Sequence, residues 1–266
     1  MQKAIFTLTA GRTGTAWIAD FLGQNLEIDA VHEPLGIADF GTRMPDIRLM
    51  RSFNTYGNTP EVQRFWQGKL GALPPVYAEG NHTLGKCGLI ENLAVSPLAQ
   101  DAVVVVLRRG IVKQCVSYLV RGDFGNITVP WQWYLMPDYP LTLVAFAPFK
   151  GMGQLGYALW YCYEMAARQA YYQMAYGDRV SFVEAQLEEV TKPEGAARFW
   201  ADLGGQGTCS LPPPKNASST APPAELLAQV QAITDKIAFD ADAVARAAIA
   251  KGFSFESAAG GEKRSA

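Results

Sequence analysis

The chain has 266 residues, 49% of them apolar, 11% aromatic and 18% charged, with a formal net charge of −2. This length suits one large α/β domain or two small ones, and the near-neutral charge offers no footprint for nucleic acid or an acidic membrane surface. Four scattered cysteines without a CxxC pair, and only two histidines, speak against a disulfide framework and a His-rich metal centre.

No basic segment with a following apolar core precedes the first strand, and no apolar run reaches bilayer length. A cytoplasmic protein without stable membrane insertion is therefore expected. Ala4–Leu8 is apolar and β-prone, Ala10–Gly14 is a turn, and Trp17, Ile18, Phe21 and Leu22 share one helical face. A strand, a glycine turn and a helix together present unpaired N–H groups and a positive dipole end to an anion. Gly11 and Gly14 let the backbone bend, Arg12 adds a planar cationic fork, and Thr13 and Thr15 add hydroxyls. The stretch reads as a phosphate-binding loop. It is not the G-x-x-x-x-G-K-[ST] loop, because Thr15 follows Gly14 and no lysine comes next.

Ile28–Glu33 predicts a short second strand, closed by Pro34, and Asp39–Asn58 reads as irregular. Pro60–Leu70 predicts a helix, Pro75–Glu79 a third strand ending at Gly80-Asn81-His82, and Leu89–Leu98 a helix bounded by Ser96-Pro97. Ala102–Leu107 (AVVVVL) is a strand expected to be buried on both faces, and Ile111–Val120 is a helix. Asn126–Lys150 concentrates prolines and aromatics, and Asn126–Phe149 reads as a lid or wall for an apolar acceptor, with a satellite core under a long loop as the alternative. Leu155–Tyr176 predicts a long helix whose Tyr157, Trp160, Tyr161 and Tyr171 read as core. Arg179–Glu184 predicts a fifth strand and Glu194–Leu203 a helix. Leu211–Pro223 reads as a loop, Ala224–Ile237 and Ala241–Ala250 as helices, and Ser257–Ala266 as a disordered tail. Alternating strands and helices predict a three-layer α/β/α domain over 1–256, with a central parallel sheet of about 4–5 strands. Ligands of such folds bind at the carboxyl ends of the strands. Arg108 and Arg109 leave the AVVVVL strand there and are expected to point their charge into the crevice.

The loop Gly11–Trp17 (GRTGTAW) is similar to the 5′-phosphosulfate loop of sulfotransferases that use 3′-phosphoadenosine 5′-phosphosulfate (PAPS), which reads roughly [PG]-[KR]-[ST]-G-[TS]-[TS]-x. The resemblance implies that Arg12 holds the sulfate-bridging oxygen and that Thr13, Gly14 and Thr15 cradle the 5′-phosphate. It also implies that Trp17 lies against the adenine, while Ala16, replacing the usual hydroxyl residue, offers its backbone N–H. The segment LRRGIVKQCVSY resembles the family's 3′-phosphate element, an arginine at a strand exit and a serine eight positions on, here Arg109 and Ser117. Gly110-Ile111 stands where the family often has Asp-Pro. The stretch from Val183 to Gly204 is similar to a later family element, and Lys215-Asn216-Ala217-Ser218 resembles the family's K-x-N-x-S loop, which lies near the nucleotide. Glu33, in His32-Glu33-Pro34, matches the position of a catalytic glutamate, and His82 the position of an alternative base. His32, adjacent to Glu33 in an extended segment, is expected to face the other way. The resemblance thus implies a PAPS-dependent enzyme that sulfates a hydroxyl or amine of a small-molecule, glycan or lipid acceptor, releases adenosine 3′,5′-bisphosphate (PAP), and needs no metal. An ATP- or GTP-dependent phosphotransferase is the alternative enzyme, and a non-catalytic nucleotide-binding protein the third reading. The missing Lys-Ser/Thr pair and the arginines ending AVVVVL count against the phosphotransferase, which needs a magnesium site.

Overall fold

The computed structural model describes residues 4–125, 133–215 and 221–256. Strands β1 (Ala4–Leu8), β2 (Val31–His32), β3 (Tyr77–Gly80), β4 (Ala102–Arg108) and β5 (Ser181–Gln186) form one parallel sheet in the order β2-β3-β1-β4-β5. The helices are α1 (Thr15–Leu26), α2 (Ile47–Tyr56), α3 (Pro60–Gly71), α4 (Leu89–Leu93) and α5 (Ile111–Arg121). They continue with α6 (Gly153–Tyr176), α7 (Leu187–Val190), α8 (Pro193–Asp202), α9 (Ala224–Thr234) and α10 (Ala241–Ala250).

The β-branched run of β4 shows why the sheet is sandwiched. Ala102, Val104 and Val106 join the core formed with α2, α3, α4 and α6, while Val103, Val105 and Leu107 join the opposite core with α1 and α8. Alternate residues of a strand face opposite ways, so an apolar residue at every position demands a cover on both faces. The fold is α/β with a five-stranded parallel sheet between helical layers. The chain runs from β1 to β2 and β3 on one side, then crosses to β4 and β5 on the other. The loops after β1 and β4 therefore sit together where the strand order reverses, the place where open α/β sheets bind ligands. No helix among the described residues is long and apolar enough to cross a membrane.

Several boundaries differ from expectation for identifiable reasons. The segment read as irregular contains α2, whose N-terminus is capped by Asp46 accepting from the Leu49 amide (2.8 Å), with Leu49, Met50 and Phe53 buried. β5 starts two residues late because Arg179 and Val180 amides both close on the Tyr176 carbonyl. α4 ends at Leu93, where a turn leads into Ser96-Pro97. From Trp133 on, the aromatic stretch contributes to the core, while Tyr139 and Phe146 are half-buried. Trp133 and Tyr134 are each 7% exposed, and Leu135 and Phe149 are buried against α6. Its first part, 126–132, lies outside the described residues, as do the expected tail 257–266 and positions 216–218 of the K-x-N-x-S segment. Cys87, Cys115 and Cys162 are buried free thiols.

Glu91 in α4 is fully buried, and neither of its oxygens meets a hydrogen-bond partner among the described residues. Burial raises its carboxyl from 4.5 to about 8. A folded-state value above the unfolded one means that stability is complete below about 4.5 and is lost as pH rises through 8. Glu91→Gln removes the ionisation. The difference in Tm between this variant and the parent, measured from pH 5 to 9, should widen in the variant's favour as pH rises. Parallel curves would contradict an ionising buried carboxyl.

Candidate functional site

The loop between β1 and α1 is built on left-handed backbone. Gly11, Arg12 and Gly14 have φ of 86°, 55° and 91°. At Gly14 the positive φ strains any side chain, and a Cβ would also have to displace the Leu187 methyl 2.5 Å away. No side chain caps α1, and no acidic residue sits in its first turn. Its leading amides, including that of Ala16, are therefore left with the positive end of the helix dipole and no side-chain cap among the described residues.

Arginine hydrogen bonds tie this loop to the segment that follows β4. Arg109 donates from Nη1 to the Arg12 carbonyl (2.9 Å), and Arg12 donates from Nε to Ser117 Oγ (3.1 Å). All three side chains are half-buried. Each guanidinium spends one N–H on the described residues. Burial lowers the Arg109 pKa, Glu188 opposes this, and the Arg12 charge lowers it further. Two cations held this close favour an anion between them. Glu188 itself takes the Gly110 amide (3.2 Å) and lies 3.9 Å from Lys113 Nζ. Beside it, a hollow of about 700 Å³ opens between Gly110, Ile111, Glu188, Leu227 and Gln231.

Beneath the loop, Tyr118 and Gln114 donate to the Gly11 carbonyl (2.8 and 3.0 Å), and Tyr161 donates to the Ala10 carbonyl (2.6 Å). The loop thus rests on hydroxyl and amide donors from α5 and α6.

Glu33 lies just past β2, with φ of 40° immediately before Pro34. A left-handed non-glycine residue costs about 1–3 kcal/mol and marks a position the surroundings enforce. This bend breaks the strand alternation, so His32 and Glu33 face the same way, contrary to expectation. Thr15 Oγ1 lies 3.1 Å from His32 Nε2 and 3.4 Å from Glu33 Oε1. His82 Nε2 lies 4.0 Å from the same Glu33 oxygen. Burial first, then the charges of Lys86, His32 and Arg12, lower His82 well below 6.5 and keep it neutral.

Four expectations require correction. Arg108 does not point into the crevice; it fans over Glu184, Gln169 and Gln173 (2.9, 3.3 and 2.9 Å), because successive strand residues alternate. Trp17 is 3% exposed, stacks on Phe21 at 5.3 Å and donates to the Pro212 carbonyl, which leaves no open ring face for a base. The Thr13 hydroxyl is turned under the loop, donating to Thr9 Oγ1 (2.5 Å), which donates in turn to the Leu107 carbonyl (2.8 Å). Lys215 pairs with Asp20 on α1 (2.6 Å) rather than with the loop. Sequence reading also missed Lys86, which sits under His82 with no exposure at all. Its signal was the four-residue spacing from His82, given that a lysine is almost never fully buried without partners.

No protein-family model, curated protein or solved structure matches this chain.

Proposed function

We propose that the protein is a PAPS-dependent sulfotransferase, moving a sulfuryl group to a hydroxyl or amine of a small-molecule, glycan or lipid acceptor and releasing PAP. The observation that carries this reading is the hydrogen-bonded run Arg109–Arg12–Ser117, which joins the β1 loop to the exit of β4. The residues fit such a donor. The uncapped amides of α1 and the Arg12 guanidinium suit the 5′-phosphosulfate, and Arg109 with Ser117 suits the 3′-phosphate, which ATP lacks. With Trp17 enclosed, the hollow beside Gly110 offers room for the nucleoside.

In the reaction the acceptor oxygen or nitrogen forms a bond to sulfur as the bond from sulfur to the 5′-phosphate oxygen breaks. The electron pair leaves on PAP, where Arg12 and the loop amides stabilise the new charge. The acceptor's proton goes to the Glu33 carboxylate, with His82 as the neighbouring candidate. These steps draw on the chain's own cations and amides for charge stabilisation. The carboxylate fits the base role because it is half-buried beside the loop, next to the Thr15 hydroxyl.

Thermal shift tests the donor. Anything that binds only the folded state raises Tm by mass action, about 2.7 kcal/mol of stabilisation at a hundredfold excess over Kd. PAP should raise Tm by several degrees, and ATP with or without magnesium should not. A preference for ATP with magnesium would indicate a phosphotransferase, and silence toward all three a protein without this nucleotide site.

A further inference from the structure

Lys86 lies at the end of a 3₁₀ turn (Leu84–Lys86), four residues after His82, and none of it is exposed. Its Nζ has three polar neighbours at hydrogen-bond distance: Trp133 carbonyl oxygen (2.5 Å), Tyr161 Oη (2.9 Å) and His82 Nδ1 (2.8 Å). Two of these can only accept. A carbonyl has no proton, and the Tyr161 hydroxyl proton is committed to the Ala10 carbonyl at 2.6 Å. Below the value of about 7 to which burial lowers it, the amine is an ammonium with three protons and no lone pair, so its third proton goes to His82 Nδ1. A neutral imidazole that accepts at Nδ1 carries its own proton on Nε2. That nitrogen faces Glu33 Oε1.

We propose that Lys86 is a positioning residue that selects the Nε2–H tautomer of His82, so that a proton donor rather than a lone pair is turned toward Glu33. The proposal rests on the reading of Glu33 as the base, and it sharpens that reading. His82 then cannot compete for the acceptor's proton through Nε2, and the positive end of its N–H dipole faces the carboxylate at 4.0 Å. The same ammonium holds Tyr161, whose hydroxyl supports the loop carbonyl of Ala10, so one buried cation ties the base to the phosphate loop. The rings of Tyr134 and Tyr161, each 5.4 Å from Nζ, line the rest of its chamber. Burial disfavours the charged amine most, Cys87 and Glu33 favour it electrostatically, and Arg168 disfavours it. A methionine would fill this space but leave all three acceptors without a donor.

Because the chain has only two histidines, its imidazole nitrogens can be read directly. Long-range ¹H–¹⁵N correlation spectra of the uniformly labelled protein at pH 6, without nucleotide, are the test, with His32→Gln to assign the second ring. That pH lies below the value of about 7 to which burial brings Lys86. The expected spectrum has a pyrrole-like shift at His82 Nε2 and a pyridine-like shift at Nδ1. In Lys86→Met the pyridine-like signal should be lost, by mixing of tautomers or by protonation of the ring. A proton on Nδ1 in the parent protein, a cationic ring there, or a Lys86→Met spectrum identical to the parent's would each overturn the proposal. If Lys86→Met does not fold, the pyridine-like signal should instead be lost in the parent as pH rises from 6 to 9, past the value of about 7 at which Lys86 gives up its third proton, and a spectrum unchanged over that range would overturn the proposal. No nucleotide enters the experiment, so its outcome is separate from that of the PAP thermal shift.

Discussion

Replacing Glu33 by glutamine is expected to slow sulfuryl transfer from PAPS by about 10²- to 10⁴-fold, the usual contribution of a positioned base. Glutamine keeps the shape of the side chain and can still accept from Thr15 Oγ1, 3.4 Å away in the parent, so the left-handed turn at position 33 should survive. PAP affinity should be preserved, because the groups assigned to the phosphates lie on the β1 loop and on the segment from Arg109 to Ser117. Single-turnover release of labelled PAP, read alongside equilibrium titration of PAP, separates the two quantities. An unchanged rate with unchanged affinity would move the base to His82.

A loss of similar size, this time in stability, is expected at Arg168. Its guanidinium is fully buried and donates to Glu164 (2.7 Å), Asn54 Oδ1 (2.8 Å) and the Leu141 carbonyl (2.7 Å), with the Phe255 ring 4.6 Å from its Cζ. Glu164 is buried as well and takes the Leu143 and Val144 amides on its other oxygen (2.9 and 2.8 Å). Arg168→Met would leave that carboxylate without a countercharge and two oxygen acceptors without donors. Breaking a buried pair from one side costs about 3–5 kcal/mol, or a fall in Tm of roughly 10 °C at this chain length. Adding Glu164→Leu should recover much of it, since removing both charges spares the desolvation penalty. A fall of no more than about 2 °C in the single variant would show that the carboxylate neutralises cheaply.

The sheet was legible because its signal is compositional. The AVVVVL run admits only a strand covered on both sides, and the glycine-arginine turn after Leu8 admits only a tight bend into a helix. The segment holding α2 was not read as a helix, although Asp46 and the Leu49, Met50, Phe53 stripe were both present. The glycines and prolines around them masked a short amphipathic pattern. At the site, residue types were readable and directions were not. Arg108 and Arg109 look equivalent in the chain, and only strand alternation sends one to Glu184 and the other to the loop. Trp17 belongs to the same apolar stripe as Phe21 and Leu22, and burial took it as core. The shared orientation of His32 and Glu33 comes from a backbone angle that no propensity announces. Lys86 stands between Gly85 and Cys87 in a turn without periodicity, so its four-residue spacing from His82 was the one signal, and a faint one, of its burial.

The most direct measurement is the calorimetric titration of PAP against adenosine 5′-monophosphate, which lacks only the 3′-phosphate, with the parent protein and with Arg109→Ala. The parent should bind PAP at least about tenfold more tightly, a difference of about 1.4 kcal/mol, and Arg109→Ala should erase that preference. Equal affinity of the parent for the two nucleotides would contradict a site in which Arg109 and Ser117 read the 3′-phosphate while the β1 loop holds the other end.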